Sequence, residues 1–325
     1  ENSVTLTAVA RDAVGNVSTL TEQVAVDTIV RNFAMTSGKI GGDGILNGAE
    51  VTAGLNLSGT GEPGSTLVVH MANGAEKSVT IGANGLWNAT FSAAELPHGE
   101  VNSSVTFTAT DKAGNTASFS QDFKVDTVAP MDPRITNDAG SDNSISGIAT
   151  QATANAYDFH AVAANGATTH LTVTAHFDAP VSVNGSNVAS EWDFFSNPVP
   201  DGSYLVISDT DTAGNQSSTL YIRSTTGETT VDLSRSGLSE FDFGTIDLSA
   251  SHSTLSLSES QIMALTGSDH SMAIKGGADD TVHLAGGTIA GHETINGESY
   301  TLYTLGTNGA NVLIDDDIHT TTNIV

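Results

Sequence analysis

The chain has 325 residues, in which 10 Lys+Arg stand against 37 Asp+Glu, so its formal net charge is -27, and it contains no cysteine. A field of this sign repels nucleic acid and anionic lipid, and the lack of cysteine excludes disulfides and thiolate chemistry. No run of 18 apolar residues occurs, so membrane insertion of this segment is not expected. With only 6% aromatic residues, the composition favours several thin β modules over one large core.

One acidic turn is repeated along the chain at a nearly constant spacing. The sequence Asp-x-x-Gly-Asn begins at Asp12, at Asp111 (99 positions later) and at Asp211 (100 positions later), and a further Asp follows the first two copies at Asp27 and Asp126. A fixed period near one hundred residues predicts tandem modules. The predicted modules are 1–28, 29–127, 128–225 and 226–325.

Residues 1–28 are predicted to form the last hairpin of a preceding module whose other strands lie outside this sequence. Apolar and polar residues alternate from Val4 to Ala10 and again from Leu20 to Val26, as in strands with one buried face. A lone hairpin is marginal in water, which argues against an autonomous unit.

Residues 29–127 carry the turn signals of about seven short strands, the pattern of an immunoglobulin-like β-sandwich. We expect a polar turn over 41–50, a strand over 51–60 and Trp87 in the core. The motifs Asp43-Gly44-x-x-Asn47, Thr60-x-Glu62-Pro63-Gly64, Gly85-Leu86-Trp87 and Asp111-x-Ala113-Gly114-Asn115 together resemble the bacterial immunoglobulin-like repeats of giant biofilm-associated adhesins exported by type I secretion (RTX adhesins). That resemblance implies extracellular, surface-anchored stalks with calcium at the junctions between modules.

Residues 128–225 are predicted to be a diverged module of the same kind. Its leading loop is enriched in Asp132, Asp138 and Asp142, whereas no Asp closes the turn that begins at Asp211. Leu220 and Ile222 fall one residue later than the repeat predicts. The aromatic cluster of Trp192, Phe194 and Phe195 has two interpretations, core or edge packing and contact with a ligand.

Residues 226–325 change in character and predict a smaller α+β module. Ser258 as N-cap, Gln261 three positions later and Gly267 beyond the end predict a two-turn helix. Six strands are predicted around it, at 230–233, 246–248, 272–274, 281–284, 300–305 and 311–314. The segment also resembles a spacer domain that recurs in the same adhesins.

The acidic turns are candidate calcium sites. Gly in Asp-x-x-Gly-Asn permits a positive φ, which lets oxygens converge on one point, and calcium prefers six to eight oxygen ligands. We expect the Asp at the end of the following strand to return to the same end of the sandwich, so that Asp126 and Asp132 meet the turn of Asp111. The alternative is an Asx turn without metal. The candidate ligands are Asp111, Asp126, Asp12, Asp27, Asp43, Asp132 and Asp211.

The predicted fold class is mainly β, with tandem immunoglobulin-like sandwiches followed by the α+β module. The predicted function is that of a secreted segment at the bacterial cell surface, an extended stalk stiffened by Ca2+ for adhesion or biofilm formation. Its partners would be neighbouring modules of the chain and a host or matrix surface ligand. The alternative function is that of an adhesin module, within residues 128–325, that binds a carbohydrate or a peptide. Catalysis is not predicted, because neither a His-Glu-x-x-His nor a Gly-x-Ser-x-Gly motif is present.

Overall fold

The computed structural model describes residues 2–141, 143–153, 156–267 and 270–322; Asp142 therefore lies outside the described residues. Within them the fold is mainly β, as predicted, with 27 strands and two short α-helices. The chain divides into two compact units, residues 1–128 and 129–325.

The first unit begins with an antiparallel hairpin and continues into a two-sheet sandwich. The hairpin strands pair from Asn2 with Val26 to Arg11 with Val17. The two sheets of the sandwich have the orders β4-β10-β9-β6-β7 and β3-β5-β8. The elements are β1 Asn2–Arg11, β2 Val17–Val26, β3 Ala34–Met35, β4 Ile45–Asn47, α1 Gly48–Ala53, β5 Leu55–Thr60, β6 Thr66–Met71, β7 Glu76–Thr80, β8 Leu86–Phe91, a 3-10 turn Ala93–Glu95, β9 Glu100–Thr110 and β10 Thr116–Asp126.

The sandwich core forms where the inward faces of the two sheets meet. Trp87 is buried as predicted, and its indole N–H donates to the carbonyl of Thr60 over 2.9 Å. Its ring lies 5.6 Å from that of Phe107, which lies 4.7 Å from Phe119. These contacts fix the last hairpin, β9–β10, against the opposite sheet.

The predicted strand over 51–60 is wrong at its start, because residues 48–53 are helical. Asn47 caps this helix: its side chain accepts from the backbone N–H of Glu50 over 2.9 Å, and the Glu50 carboxylate accepts from the backbone N–H of Asn47 over 3.0 Å. This reciprocal capping box stabilises a first helical turn. The strand begins only at Leu55.

The second unit contains a four-stranded sheet, β11-β12-β18-β15, and an eleven-stranded sheet with the main path β14-β13-β19-β20-β21-β22-β26-β25-β24. The elements are β11 Ile135–Ala139, β12 Ile145–Gln151, β13 Asp158–Val162, β14 Thr168–His170, β15 Val173–Asp178, β16 Val181–Val183, β17 Ser186–Val188, β18 Ser190–Val199, β19 Tyr204–Thr210, β20 Gln216–Thr230, a 3-10 turn Ser236–Glu240, β21 Phe243–Leu257, α2 Glu259–Leu265, β22 Ser271–Lys275, β23 Thr281–Leu284, β24 Thr288–Ile295, β25 Glu298–Leu305, β26 Ala310–Asp315 and β27 His319–Thr321.

Strand β20 runs through the predicted boundary between residues 225 and 226 and pairs in parallel with β21. Its side chains enter two cores. Tyr221 belongs to a core shared with Phe159 and Phe195, whereas Leu220 and Ile222 belong to a larger core with Ile246 and Leu257. The two parts of this unit are therefore joined through one continuous sheet.

The predicted helix near residue 258 is confirmed as α2. Ser258 is its N-cap, with the reciprocal contacts of a capping box to Gln261. Ile262 and Leu265 face inward and are buried. The chain contains no helix in its described part with the length and apolarity required to cross a membrane.

Candidate metal centre

The three Asp-x-x-Gly-Asn segments form the same turn. In each, one carboxylate oxygen of the Asp accepts from the backbone N–H of the Asn, and the other accepts from the Asn side-chain amide. The backbone distances are 2.9 Å for Asp12–Asn16, 2.8 Å for Asp111–Asn115 and 2.9 Å for Asp211–Asn215. The amide distances, in the same order, are 2.6, 2.7 and 2.8 Å. The turn is thus closed by its own residues, as the Asx interpretation states.

Each turn requires its glycine. Gly15, Gly114 and Gly214 have φ of 92°, 92° and 89°, a left-handed conformation that other residues adopt only with strain. The turn geometry therefore follows from local sequence alone, whatever lies around it.

Asp111 is a buried residue, with 6% relative exposure. Burial raises the pKa of Asp111, but hydrogen bonds from the side chain and backbone of Asn115 and from the backbone of Ala113 and Gly114 outweigh it and hold the pKa below its ordinary value. Hydrogen bonds to the ionised form favour the charge. Asp111 is therefore an anion at neutral pH.

Two further carboxylates converge on this turn. Asp27 directly follows β2 of the hairpin, and Glu62 lies in the turn between β5 and β6. One oxygen from each of Asp27, Glu62 and Asp111 lies within 4.8 Å of the others. The turns meet because Thr66 pairs with Thr110 across β6 and β9, which places the β5–β6 and β9–β10 turns at the same end of the sandwich.

The cluster has the oxygens and the spacing that a calcium ion requires. Calcium binds oxygen at about 2.3–2.6 Å, so oxygens on opposite sides of one ion lie about 5 Å apart. Three carboxylates within 4.8 Å of one another fit that limit, and without a cation they repel one another. A backbone donor offsets part of this repulsion between carboxylates, since the Arg31 N–H donates to Glu62 Oε2 over 3.2 Å. The residues present therefore fit calcium.

Asp126 does not lie near this cluster, and the expectation that it shares an end of the sandwich with Asp111 is wrong. Strands β9 and β10 form an antiparallel hairpin in which Thr116 pairs with Thr110 and Asp126 with Glu100. The turn is at one end of the hairpin and Asp126 is at the other. There Asp126 is buried and forms an ion pair of 2.8 Å with Lys124.

The other predicted ligands in the first unit have local roles. Asp43 is exposed, and its carboxylate accepts from Ile45 N–H over 2.8 Å. Asp12 is exposed in the hairpin turn, where hydrogen bonds, chiefly from the side chain of Asn16, lower its pKa. The three carboxylates of the cluster do not include Asp12 or Asp43.

Two predicted ligands belong to the second unit. Asp132 precedes β11, and its carboxylate accepts from the hydroxyls of Ser217 and Thr245, the latter over 2.6 Å. Asp211 closes its own turn as described above. In this unit, the hydroxyl groups of β20 and β21 contact Asp132.

Glu62 was not among the predicted ligands, although it belongs to the motif Thr60-x-Glu62-Pro63-Gly64. Its signal was present: Gly61-Glu62-Pro63-Gly64 joins β5 to β6, and β6 neighbours β9 in the sheet. A turn beside the turn of Asp111 supplies an acid at the same end of the module.

The aromatic cluster of β18 is divided between core and surface. Phe195 is buried and packs against Phe159 with ring centroids 5.3 Å apart, as the packing interpretation states. Trp192 and Phe194 are half-buried and nearly parallel, with an interplanar angle of 17° and centroids 5.8 Å apart. Phe177 on β15 continues this aromatic row at 5.9 Å from Phe194 and is 48% exposed.

The sandwich geometry agrees with a family match. Residues 47–126 match the bacterial Ig domain. The match to this domain points to a non-enzymatic structural or adhesion module. It ends at Asp126, the last residue of β10. No curated protein sequence matches the chain.

Solved structures of bacterial adhesins are among the similar folds. One concerns host cell surface retention of a 1.5-MDa bacterial ice-binding adhesin (21% identity, 65% of this chain and 70% of that chain, TM-score 0.38). Another is a Ca2+-stabilized adhesin that helps an Antarctic bacterium reach out and bind ice (19%, 98% and 81%, 0.38). A third is a tetra-tandem repeat in the extending region of a large adhesion protein (20%, 71% and 59%, 0.25). At these TM-scores the neighbours add no argument to the match of the bacterial Ig domain.

Proposed function

We propose that this chain is a segment of an extracellular bacterial adhesin, in which successive bacterial Ig modules form a stalk stiffened by calcium. The observation that carries the proposal is the convergence of Asp27, at the end of the hairpin, with Glu62 and Asp111 of the Ig module. The three carboxylates would hold a calcium ion, whose charge neutralises their repulsion. Secretion to the cell surface and a part in biofilm formation belong to the same proposal.

The repeat supports this assignment of residues. Asp27 lies 99 positions before Asp126, and each is the residue that follows Val at the end of the second strand of its hairpin. The apolar face of the first hairpin includes Leu6 and Val24, both exposed, while Val105 and Phe123 at the equivalent positions are buried in the Ig core. We therefore propose that residues 1–28 are the closing hairpin of a preceding Ig module.

The mechanism follows from where the three carboxylates are attached. Asp27 belongs to the hairpin, whereas Glu62 and Asp111 belong to two turns of the next module. Holding all three oxygens near one point restrains the linker 28–33 and the angle between hairpin and sandwich. Ion binding would thus neutralise the repulsion between these carboxylates and stiffen the joint between the hairpin and the sandwich.

The test is small-angle scattering of the whole chain with calcium and with EGTA. The proposal expects larger and less variable dimensions with calcium, because the joint stiffens. Identical scattering and an identical melting temperature with calcium and with EGTA would contradict the proposed stiffening by calcium.

The aromatic row of Phe177, Trp192 and Phe194 favours a second function, binding of a carbohydrate or peptide by residues 128–325. Near-parallel rings that are half-buried or exposed provide flat apolar faces for a ligand. The protein has two Trp residues, and Trp87 is buried, so a ligand at the row would change the fluorescence of Trp192. The test is a fluorescence titration of wild type and Trp192→Phe with the same oligosaccharides and peptides. A ligand-induced change in fluorescence that persists in Trp192→Phe would contradict binding at the aromatic row.

A further inference from the structure

A cleft of about 870 Å³ lies in the second unit, and its lining includes none of the three residues of the aromatic row. Its floor is one face of the large sheet, where Thr245 and Asp247 of β21 lie beside Ala273 and Lys275 of β22. The intervening Ile246 and Ile274 point to the opposite face, where they are buried in the apolar core. The size is within the range of ligand sites, about 300–1,000 Å³.

Polar residues form a continuous row across this face. Asp247 pairs with Tyr221 on one side and with Lys275 on the other. The next strand, β26, follows in the same register, since Ile274 pairs with Ile314, and its Asp315 pairs with Tyr300 of β25. Such a row on the face opposite an apolar core has no role in packing that core.

Several groups in the cleft retain hydrogen-bonding capacity. Lys275 Nζ lies 3.7 Å from Asp247 Oδ2, beyond ordinary hydrogen-bond distance, and within the described residues Nζ makes no hydrogen bond. Asp247 Oδ1 accepts from Ser249 N–H over 2.9 Å, which leaves Oδ2 toward the ammonium. Tyr300 donates to Glu298 Oε2 over 3.3 Å, so Glu298 Oε1 remains an acceptor.

The chemistry of the lining selects among ligand classes. Asp132, Asp209, Asp247 and Glu298 outnumber Arg134 and Lys275, so an anionic ligand is repelled. The cleft holds both donor groups, such as the Lys275 ammonium, and acceptor groups, such as the carboxylates of Asp247 and Glu298, a combination suited to hydroxyl groups, which both donate and accept. The half-buried ring of Tyr157 at the wall offers an apolar face.

We propose that this cleft binds a neutral saccharide, with Lys275 donating to ring oxygens and Asp247 and Glu298 accepting from ring hydroxyls. The site shares no residue with the calcium cluster, so it stands independently of the stalk proposal. It would give the segment a receptor function in addition to a mechanical one.

The test is an array of neutral and acidic oligosaccharides probed with the whole chain, in wild type and in Lys275→Met and Glu298→Gln. Lys39→Met, which removes an exposed lysine of the first unit, is the charge-matched control. We expect a coherent set of neutral oligosaccharides to bind wild type and the control. Loss of a hydrogen bond to a charged group should weaken binding about ten- to a hundredfold in Lys275→Met.

Glu298→Gln keeps the shape of the side chain and serves as the second variant in case Lys275→Met misfolds. The melting temperature of each variant shows whether it is folded. Binding of only anionic oligosaccharides, or of none, would overturn the proposal. So would unchanged affinity in both cleft variants. Loss of binding in Trp192→Ala with retention in both cleft variants would place the saccharide on the aromatic row and would also overturn it.

Discussion

The side-chain amide of Asn115 donates to Oδ1 of Asp27 over 3.4 Å, across 88 positions of sequence. The same amide holds Asp111 Oδ2 at 2.7 Å. One asparagine therefore connects the end of the hairpin to the acidic turn of the Ig module, at the place where Glu62 completes the cluster. This contact locates the joint on which the proposed stalk depends.

Glu62→Gln should abolish most of the stabilisation that calcium gives to the first unit. Wild type should gain roughly 5–15 °C in melting temperature at calcium concentrations well above Kd. In EGTA the variant should be at least as stable as wild type, because one of three repelling charges is gone. Calorimetry in calcium and in EGTA measures both effects.

Two matched variants control this prediction. Asp12→Asn changes the same kind of turn at a place where no group of three carboxylates converges among the described residues, and Glu76→Gln removes an exposed charge on β7. Both should keep the full calcium-dependent rise. An equal loss in Asp12→Asn would mean that calcium acts through the isolated turn and not through the joint.

Phe107→Ala should cost about 3–5 kcal/mol of the free energy of unfolding of the Ig module, since this ring is fully buried between Trp87 and Phe119. Leu6→Ala in the hairpin should change it by no more than about 0.5 kcal/mol, because Leu6 is 56% exposed. Urea unfolding followed by tryptophan fluorescence of Trp87 measures the difference. Comparable losses in the two variants would contradict the placement of the core.

His176 should titrate above its ordinary pKa of 6.5. The hydrogen bond to Asp193 is the largest influence and raises the pKa of His176, while burial opposes it; the distance between Nδ1 and Oδ1 is 2.9 Å. A raised folded pKa means that the pair stabilises the fold below pH 6.5 and that this contribution is lost as pH rises through the folded pKa. NMR titration of the ring should show this midpoint, and Asp193→Asn should lower it. A wild-type midpoint at or below 6.5 would contradict the contact.

Much of the local structure could be predicted from the sequence, because it depends on neighbours in the chain. The Asp-x-x-Gly-Asn turns close on their own side chains, and Ser258 and Gln261 cap α2 as their spacing predicts. The helix at 48–53 was not predicted, because the glycines around Asn47 and Glu50 favoured a turn. These two residues nevertheless have the same capping-box spacing as Ser258 and Gln261.

The composition of the joint could be predicted only in part. An acidic turn meeting an acid from a neighbouring module was expected, with Asp126 and Asp132 as the partners of Asp111. Asp126 instead lies at the opposite end of the β9–β10 hairpin. The structure pairs Asp111 with Asp27, from the hairpin before it, and adds Glu62. Which turns share an end depends on strand order in the sheet, and a single sequence does not show this.

The shift of apolar residues in the third module also has a physical cause. Leu220 and Ile222 fall one residue later than the repeat because they face the larger core of the second unit, whereas Tyr221 faces the core that it shares with Phe159 and Phe195. A strand buried on both faces loses the alternation from which its register was predicted.

Calcium binding by Asp27, Glu62 and Asp111 can be tested by counting bound calcium with native mass spectrometry on the whole chain, washed with EDTA and reloaded with calcium. Asp27→Asn and Glu62→Gln should each bind one calcium ion fewer than wild type, while Asp12→Asn should bind as many. Equal counts in wild type, Asp27→Asn and Glu62→Gln would contradict it.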